Sequence, residues 1–179
     1  MMAGLDPVFS HLSRFALALL FVGAVRHKLA DLLRFEGIVA DYRLAPARAS
    51  FGIARGLVAL EIILVAGLLA PWTASGAALG AAGVLLAYGI AIGVNLARGR
   101  DEIECGCGGP GERLNPRLLL RNAVLVGGCL VAAAPMTERA LGPLDLFTIV
   151  ASLWSLALLW TAGGRLARIA DTNVAGSAA

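Results

Sequence analysis

Five long apolar stretches alternate with polar connections along this chain. They run from Phe9 to Val25, Ile53 to Ala70, Ala74 to Leu96, Leu118 to Ala134 and Leu144 to Ala162. Each is close to the roughly 20 residues an α-helix needs to cross the hydrocarbon core. A backbone in lipid must satisfy its own hydrogen bonds, and a helix does so within one segment. The pattern therefore predicts an all-α transmembrane bundle of five spans, forming one membrane domain over residues 1–179. The first and fifth stretches carry the weakest signal, and a four-span bundle is the alternative. No basic cluster precedes the first apolar run, and Arg14 interrupts it, so that segment is read as a retained helix and not as a cleaved signal.

The connections are of two kinds. Pro71-Trp72-Thr73 is a tight turn with an interfacial aromatic, and Ala132 to Gly142 is a short loop punctuated by Pro135. Two connections are long and charged. In the first, His27 to Ser50, the apolar positions Leu29, Leu32, Leu33, Ile38, Val39 and Tyr42 face away from Lys28, Asp31, Arg34, Glu36, Asp41 and Arg43. That is helical periodicity closed by Pro46, and it predicts an amphipathic helix at the membrane surface or on the end of the bundle. The second, Arg98 to Arg117, is polar and Gly-rich. It ends at Asn115-Pro116, the signature of an N-cap followed by proline in the first helical turn.

Composition sharpens this picture. The 179 residues are 59% hydrophobic and 15% charged, against about 45–50% and about 25% in soluble domains. The net charge of +3 comes from fourteen arginines and one lysine against twelve acids. The cations sit between apolar runs without interleaved aromatics, which excludes a nucleic-acid partner and makes membrane lipid the surrounding medium. With five spans, thirteen of the fifteen cations fall on the side of the two long loops, and only Arg14 and Arg139 on the other. The positive-inside rule then predicts a multi-pass protein of the inner (cytoplasmic) membrane, with its N-terminus outside and both long loops in the cytoplasm. Gly52/Gly56, Gly76/Gly80 and Gly89/Gly93 repeat the small-xxx-small spacing of close helix contact, within the chain or in a homo-oligomer.

The chemistry concentrates in Cys105-Gly106-Cys107. Two thiols one residue apart can close a small, strained and easily reduced disulfide ring, better suited to exchange than to structural stapling. A central glycine eases the turn. Two other readings stay open: unpaired loop thiols, or a soft-metal site that uses Cys105, Cys107 and His27. Asp101, Glu102 and Glu104 oppose thiolate formation, whereas Arg98, Arg100, Arg113 and the start of the fourth helix favour it. Cys129 lies deep in the fourth span, where a lone cysteine is ordinarily core filler.

Glu61 is an acid within a span, which is costly and a functional candidate by default. Arg26, His27, Arg55 and Arg121 approach it from the cysteine-loop side, with Asn95 and Asn122 at similar depth. The candidate site therefore comprises Cys105, Cys107 and Glu61, supported by His27, Arg121, Asn122 and Asn95. The bland alternative for Glu61 is a structural ion pair that fixes helix register. His27 could shuttle a proton or bond a quinone carbonyl.

His27-Lys28-Leu29, Asp31, Phe35, Tyr42, Pro46 and Glu61 together resemble the MauE/DoxX-like family of redox-associated membrane proteins. Asn95 to Arg100, then Cys105-Gly106-Cys107-Gly108-Gly109 and Arg121-Asn122, resemble its MauE branch. The resemblance implies membrane thiol–disulfide exchange with a thioredoxin-like partner, in the disulfide maturation of an exported protein of the methylamine dehydrogenase type. It carries Cys105 and Cys107 over as the exchanging pair, with Glu61, Arg121 and Asn122 in support. Membrane redox logic adds a quinone as electron acceptor. Such substrates lie outside the cytoplasm, on the side opposite to the one that the charge count gives the cysteine loop. A soft-metal-binding or transporting membrane protein and a non-catalytic assembly scaffold are the rival functions.

Overall fold

The computed structural model describes residues 4–106 and 112–177, with side chains as far as Gly163. Cys107 and residues 108–111 lie outside the described residues, as do the side chains of Arg165 and Arg168. Among the described residues the chain is all α-helical: α1 (Pro7–Ala30), α2 (Leu32–Asp41), α3 (Ser50–Leu69), α4 (Ala74–Ala97), α5 (Pro116–Ala133) and α6 (Pro143–Ser177). A single 3₁₀ turn, Ala47–Ala49, leads into α3. Five stretches are long and apolar enough to cross a membrane: Pro7–Ala30, Ala47–Leu69, Ala74–Ala97, Pro116–Ala133 and Pro143–Gly163. This is a multi-pass membrane protein with five spans, and the four-span alternative falls away.

Contacts divide the chain into two units, residues 1–139 and 140–179. In the first unit α1, α3, α4 and α5 pack as a ring in which each helix touches two others, and α2 lies against α3. The core joins Leu17 and Phe21 of α1, Leu64 and Leu68 of α3, Ala78, Ala81 and Leu85 of α4, and Cys129 of α5. Small residues on α4 bring its neighbours close. A side chain on Gly67 would meet the Ala77 methyl at 2.8 Å, and one on Gly80 would meet Leu64 at 2.9 Å. Large apolar residues such as Leu19, Ile63, Ile90 and Leu120 cover the outside, as expected of a surface solvated by lipid.

The small-xxx-small glycines divide accordingly. Gly80, Gly89 and Gly93 contact other helices, whereas Gly52, Gly56 and Gly76 face open space and do no packing within the chain.

Aspartate side chains cap the starts of α1 and α2. Asp6 accepts from the Val8 amide at 2.9 Å and starts α1. Asp31, with φ −147°, breaks the helix and caps α2 by accepting from the Arg34 amide at 3.0 Å. The amphipathic helix expected from His27 onward is thus two helices, with His27, Lys28 and Leu29 belonging to α1. The phase changes at the break: Leu33 is 78% exposed, and Phe35 is the α2 residue buried against Ala54 and Val58.

Far from this end, Arg14 donates to the Leu69 carbonyl at 2.9 Å, satisfying the C-terminus of α3, and Arg139 pairs with Asp6. In the second unit, Asp145 accepts from the Gly142 amide at 2.8 Å, which accounts for an acid at the edge of an apolar span. Thr148 and Ser155 bond back to carbonyls one turn earlier, so their hydroxyls need no outside partner.

Packing at Gly67 yields a test. Gly67→Ala places a methyl inside contact distance of Ala77, and overpacking of this kind costs about 1–3 kcal/mol. Thermal unfolding of the detergent-solubilised protein should show that loss, while Gly76→Ala, facing open space, should leave stability unchanged or slightly raised.

Candidate functional site

Just past the end of α4, Gly99 has a positive φ of 69°, the left-handed conformation that glycine favours after a helix C-terminus. Arg100 then folds back, donating to the Asn95 side-chain oxygen at 3.1 Å and to the Asp41 carbonyl at 2.9 Å. This one guanidinium ties the long loop to α4 and to the end of α2. Asn95, fully buried, completes its bonding by donating to the Ala91 carbonyl at 3.1 Å.

The loop continues as a narrow antiparallel pairing. The Cys105 amide donates to the Glu112 carbonyl at 2.8 Å, and the Leu114 amide to the Ile103 carbonyl at 3.0 Å. Glu104 is clamped by both arms of the Arg34 guanidinium, at 2.7 and 3.2 Å. The Tyr42 hydroxyl donates to the Cys105 carbonyl at 3.2 Å. Gly106 has φ +73°, and a side chain there would press on Ile38 at 3.1 Å and Phe35 at 3.4 Å. Both the backbone angle and the close approach to α2 require glycine between the cysteines.

Although its loop is polar and Gly-rich, Cys105 is only 4% exposed and packs with Ile92, Leu114 and Leu118. Arg121, one turn into α5, places Nη2 3.9 Å from the Cys105 sulfur, while its Nη1 lies 3.2 Å from both oxygens of Glu112. A cation in that position stabilises negative charge developing on the sulfur. Asn115 stands at the N-cap of α5 with Pro116 behind it, but its side chain donates to the Arg113 carbonyl and leaves the capping to backbone.

Glu61 pairs with Lys28, and not with Arg26, His27, Arg55 or Arg121 as the sequence reading supposed. The two side chains are 1% and 2% exposed and in direct hydrogen-bond contact. Tyr88 of α4 donates to the same Glu61 oxygen at 2.7 Å, and Lys28 donates to the Tyr88 hydroxyl at 3.2 Å. The Lys28 ammonium also stands 5.0 Å from the ring centres of Phe35 and Tyr88, where the aromatic faces add attraction. The other Glu61 oxygen is buried without a hydrogen-bond partner among the described residues. Arg55 instead pairs with Glu36, and Arg121 with Glu112.

Lys28 and Tyr88 were missed in the sequence. The signal available was that Lys28 is the only lysine in a chain of fourteen arginines. Its slender stem lets a charge reach inward from a helix end.

The remaining predicted residues are spread around this centre. His27 borders a small cleft shared with Lys28, Arg34, Glu104 and Gly106. Asn122 is buried on α5, facing Gly89 of α4. Cys129 lies in the apolar core with Leu17 and Phe21, in a different cluster from Cys105. Tyr88 and Cys105 both line an apolar cavity of about 130 Å³. Its walls include Phe35, Tyr42, Leu57, Tyr88, Ala91 and Cys105.

A buried pair is costly to break, because removing one partner strands the other's charge. Lys28→Met alone should therefore destabilise the protein by about 3–5 kcal/mol. The Lys28→Met, Glu61→Leu double variant should recover most of that loss in the same unfolding assay. A single variant that unfolds like the wild type would show the pair to be uncoupled.

Comparisons with known proteins identify the family. The family model described as Methylamine utilisation protein MauE matches residues 6–135, from the start of α1 past the end of α5. The chain is 38% identical over 146 residues to the Methylamine utilization protein MauE of Paracoccus versutus, covering 80% of this chain and 78% of that one. It is 35% identical over 165 residues to that of Paracoccus denitrificans, covering 87% and 89%. It is 38% identical over 145 residues to that of Methylorubrum extorquens, covering 79% and 77%. No solved structure matches it. The matched segment contains the buried Lys28–Glu61–Tyr88 cluster, the cysteine loop and Arg121, and the chain belongs to the MauE family.

Proposed function

We propose that this protein carries out thiol–disulfide exchange at the membrane during methylamine utilisation. Cys105 and Cys107 are the exchanging pair, and a thioredoxin-like protein is the partner. The exported protein whose disulfides are served is of the methylamine dehydrogenase type, as the family resemblance implies. The observation that carries this reading is the Arg121 guanidinium 3.9 Å from the Cys105 sulfur, in a loop held at fixed geometry by Arg34, Tyr42 and Arg100. Exchange proceeds by attack of a thiolate on a disulfide sulfur through a mixed disulfide. A fixed cation stabilises the sulfur anion both as attacking and as leaving group.

The role assigned to the buried cluster is support. Lys28, Glu61 and Tyr88 join three helices just beneath the loop, so the loop rests on a platform of set register. Phe35 couples the two parts, since it touches the Lys28 ammonium on one side and the Gly106 position on the other. The excess of cations at this end of the bundle supports a place in the inner membrane.

Single Cys105→Ser and Cys107→Ser variants, each in a Cys129→Ser background, test the reading. One of the two should accumulate a reductant-sensitive adduct with a thioredoxin-like protein. The double variant should form none and lose disulfide maturation of the exported substrate. Full maturation in the double variant would leave only a scaffold role. Loss of a bound soft metal ion in its place would point to the metal reading.

A further inference from the structure

We propose that the cavity beside Cys105 is the binding site of a quinone-class electron acceptor drawn from the membrane. This rests on the thiol-exchange reading above, because Cys105, which that reading uses, forms part of the cavity wall.

The chemistry states what is needed. When the thiols of Cys105 and Cys107 become one disulfide, an S–S bond replaces two S–H bonds, and two electrons and two protons leave. A quinone that takes up both becomes a hydroquinone, and the step balances with no other reactant. The acceptor must reach the sulfur, must live in the bilayer, and needs polar groups nearby to pass the thiol protons to its oxygens.

The cavity meets each requirement. Cys105 forms part of its wall, so an occupant is in contact with that residue. Its lining is almost wholly apolar, with Phe35, Tyr42 and Tyr88 as aromatic walls for a planar ring. At about 130 Å³ it is close to the size of an engineered apolar cavity, about 150 Å³, that takes up benzene. Leu44 and Ile53 line it while being 49% and 37% exposed, so its mouth opens among the apolar outer residues, where a prenyl tail would lie in lipid.

The proton requirement is met by a separate observation. Tyr88 both lines the cavity and donates to Glu61 at 2.7 Å. Behind it stands the Lys28–Glu61 pair, including a buried carboxylate oxygen with no partner among the described residues. A polar cluster bonded to a tyrosine in the wall of an apolar cavity has no evident use for an acyl chain, but it suits a ligand whose oxygens gain protons.

The test uses the purified full-length protein with Cys129→Ser, reduced beforehand. A short-tailed benzoquinone and a soluble aromatic disulfide serve as alternative oxidants. Quinone absorbance and thiol content are followed together. We expect the quinone to oxidise the pair mole for mole. Ala91→Leu and Ala45→Phe, which fill the cavity from α4 and from the α2–α3 connection, should each slow quinone oxidation by at least about tenfold, equivalent to about 1.4 kcal/mol. Both should react with the soluble disulfide at the wild-type rate. If the pair reacts with the disulfide but not with quinone, or if both filled variants react with quinone normally, the cavity is no quinone site and holds at most a lipid chain, while the exchange reading stands. If neither oxidant acts on the wild-type pair, the exchange reading fails and this proposal fails with it.

Discussion

The buried contact between Lys28 and Glu61 is the constraint on which the rest of this structure depends. A charged pair withdrawn from both water and lipid repays its desolvation only when geometry and extra hydrogen bonds are good. Here the extra bonds come from Tyr88, and the aromatic faces of Phe35 and Tyr88 flank the ammonium. Satisfying Lys28 fixes how the end of α1 sits against α3 and α4. It also fixes Phe35, and through it the seat of Gly106 on α2. The loop with Cys105 is then locked from outside by Arg34, Tyr42 and Arg100. Interhelix packing elsewhere, as at Gly67 and Gly80, serves to bring the helices close enough for these few polar contacts to form.

The same end of the bundle gathers nearly all of the chain's unusual chemistry. A thiol beside a guanidinium, a buried ion pair and an apolar cavity lie within one layer built by α1 to α5. Cys129 stands apart, in the apolar core shared with Leu17 and Phe21. Its burial there accounts for it as packing. No part of the proposed exchange requires it.

Much of this was legible in the sequence. The spans follow from the length of apolar runs, because lipid leaves a backbone little choice but helix. The cysteine loop was legible from Cys105-Gly106-Cys107, and so was the cost of Glu61 within a span. What escaped was phase. A single helical periodicity read from His27 to Tyr42 put Lys28 on the solvent side, but Asp31 breaks that helix and restarts the count. Lys28 therefore belongs to α1 and points into the bundle, and Phe35, not Leu33, faces the core. Glu61's partner was misassigned for the same reason, since Arg55 and Arg121 are occupied by Glu36 and Glu112. Tyr88, in a span without charge, has no signal of its own: its role exists only once Glu61 is placed beside it. The burial of Cys105 was likewise unreadable, because a polar, glycine-rich loop gives no sign that Tyr42, Ile92 and Leu118 close over it.

The central claim is that Cys105 and Cys107 cycle between thiol and disulfide, and their resting state tests it most directly. Membranes containing the Cys129→Ser protein would be treated with a maleimide of large mass, with and without prior reduction, and again after mild oxidant. The account expects label on both cysteines only after reduction, and loss of that label when oxidant is added. Full labelling without reduction that oxidant does not diminish would contradict it.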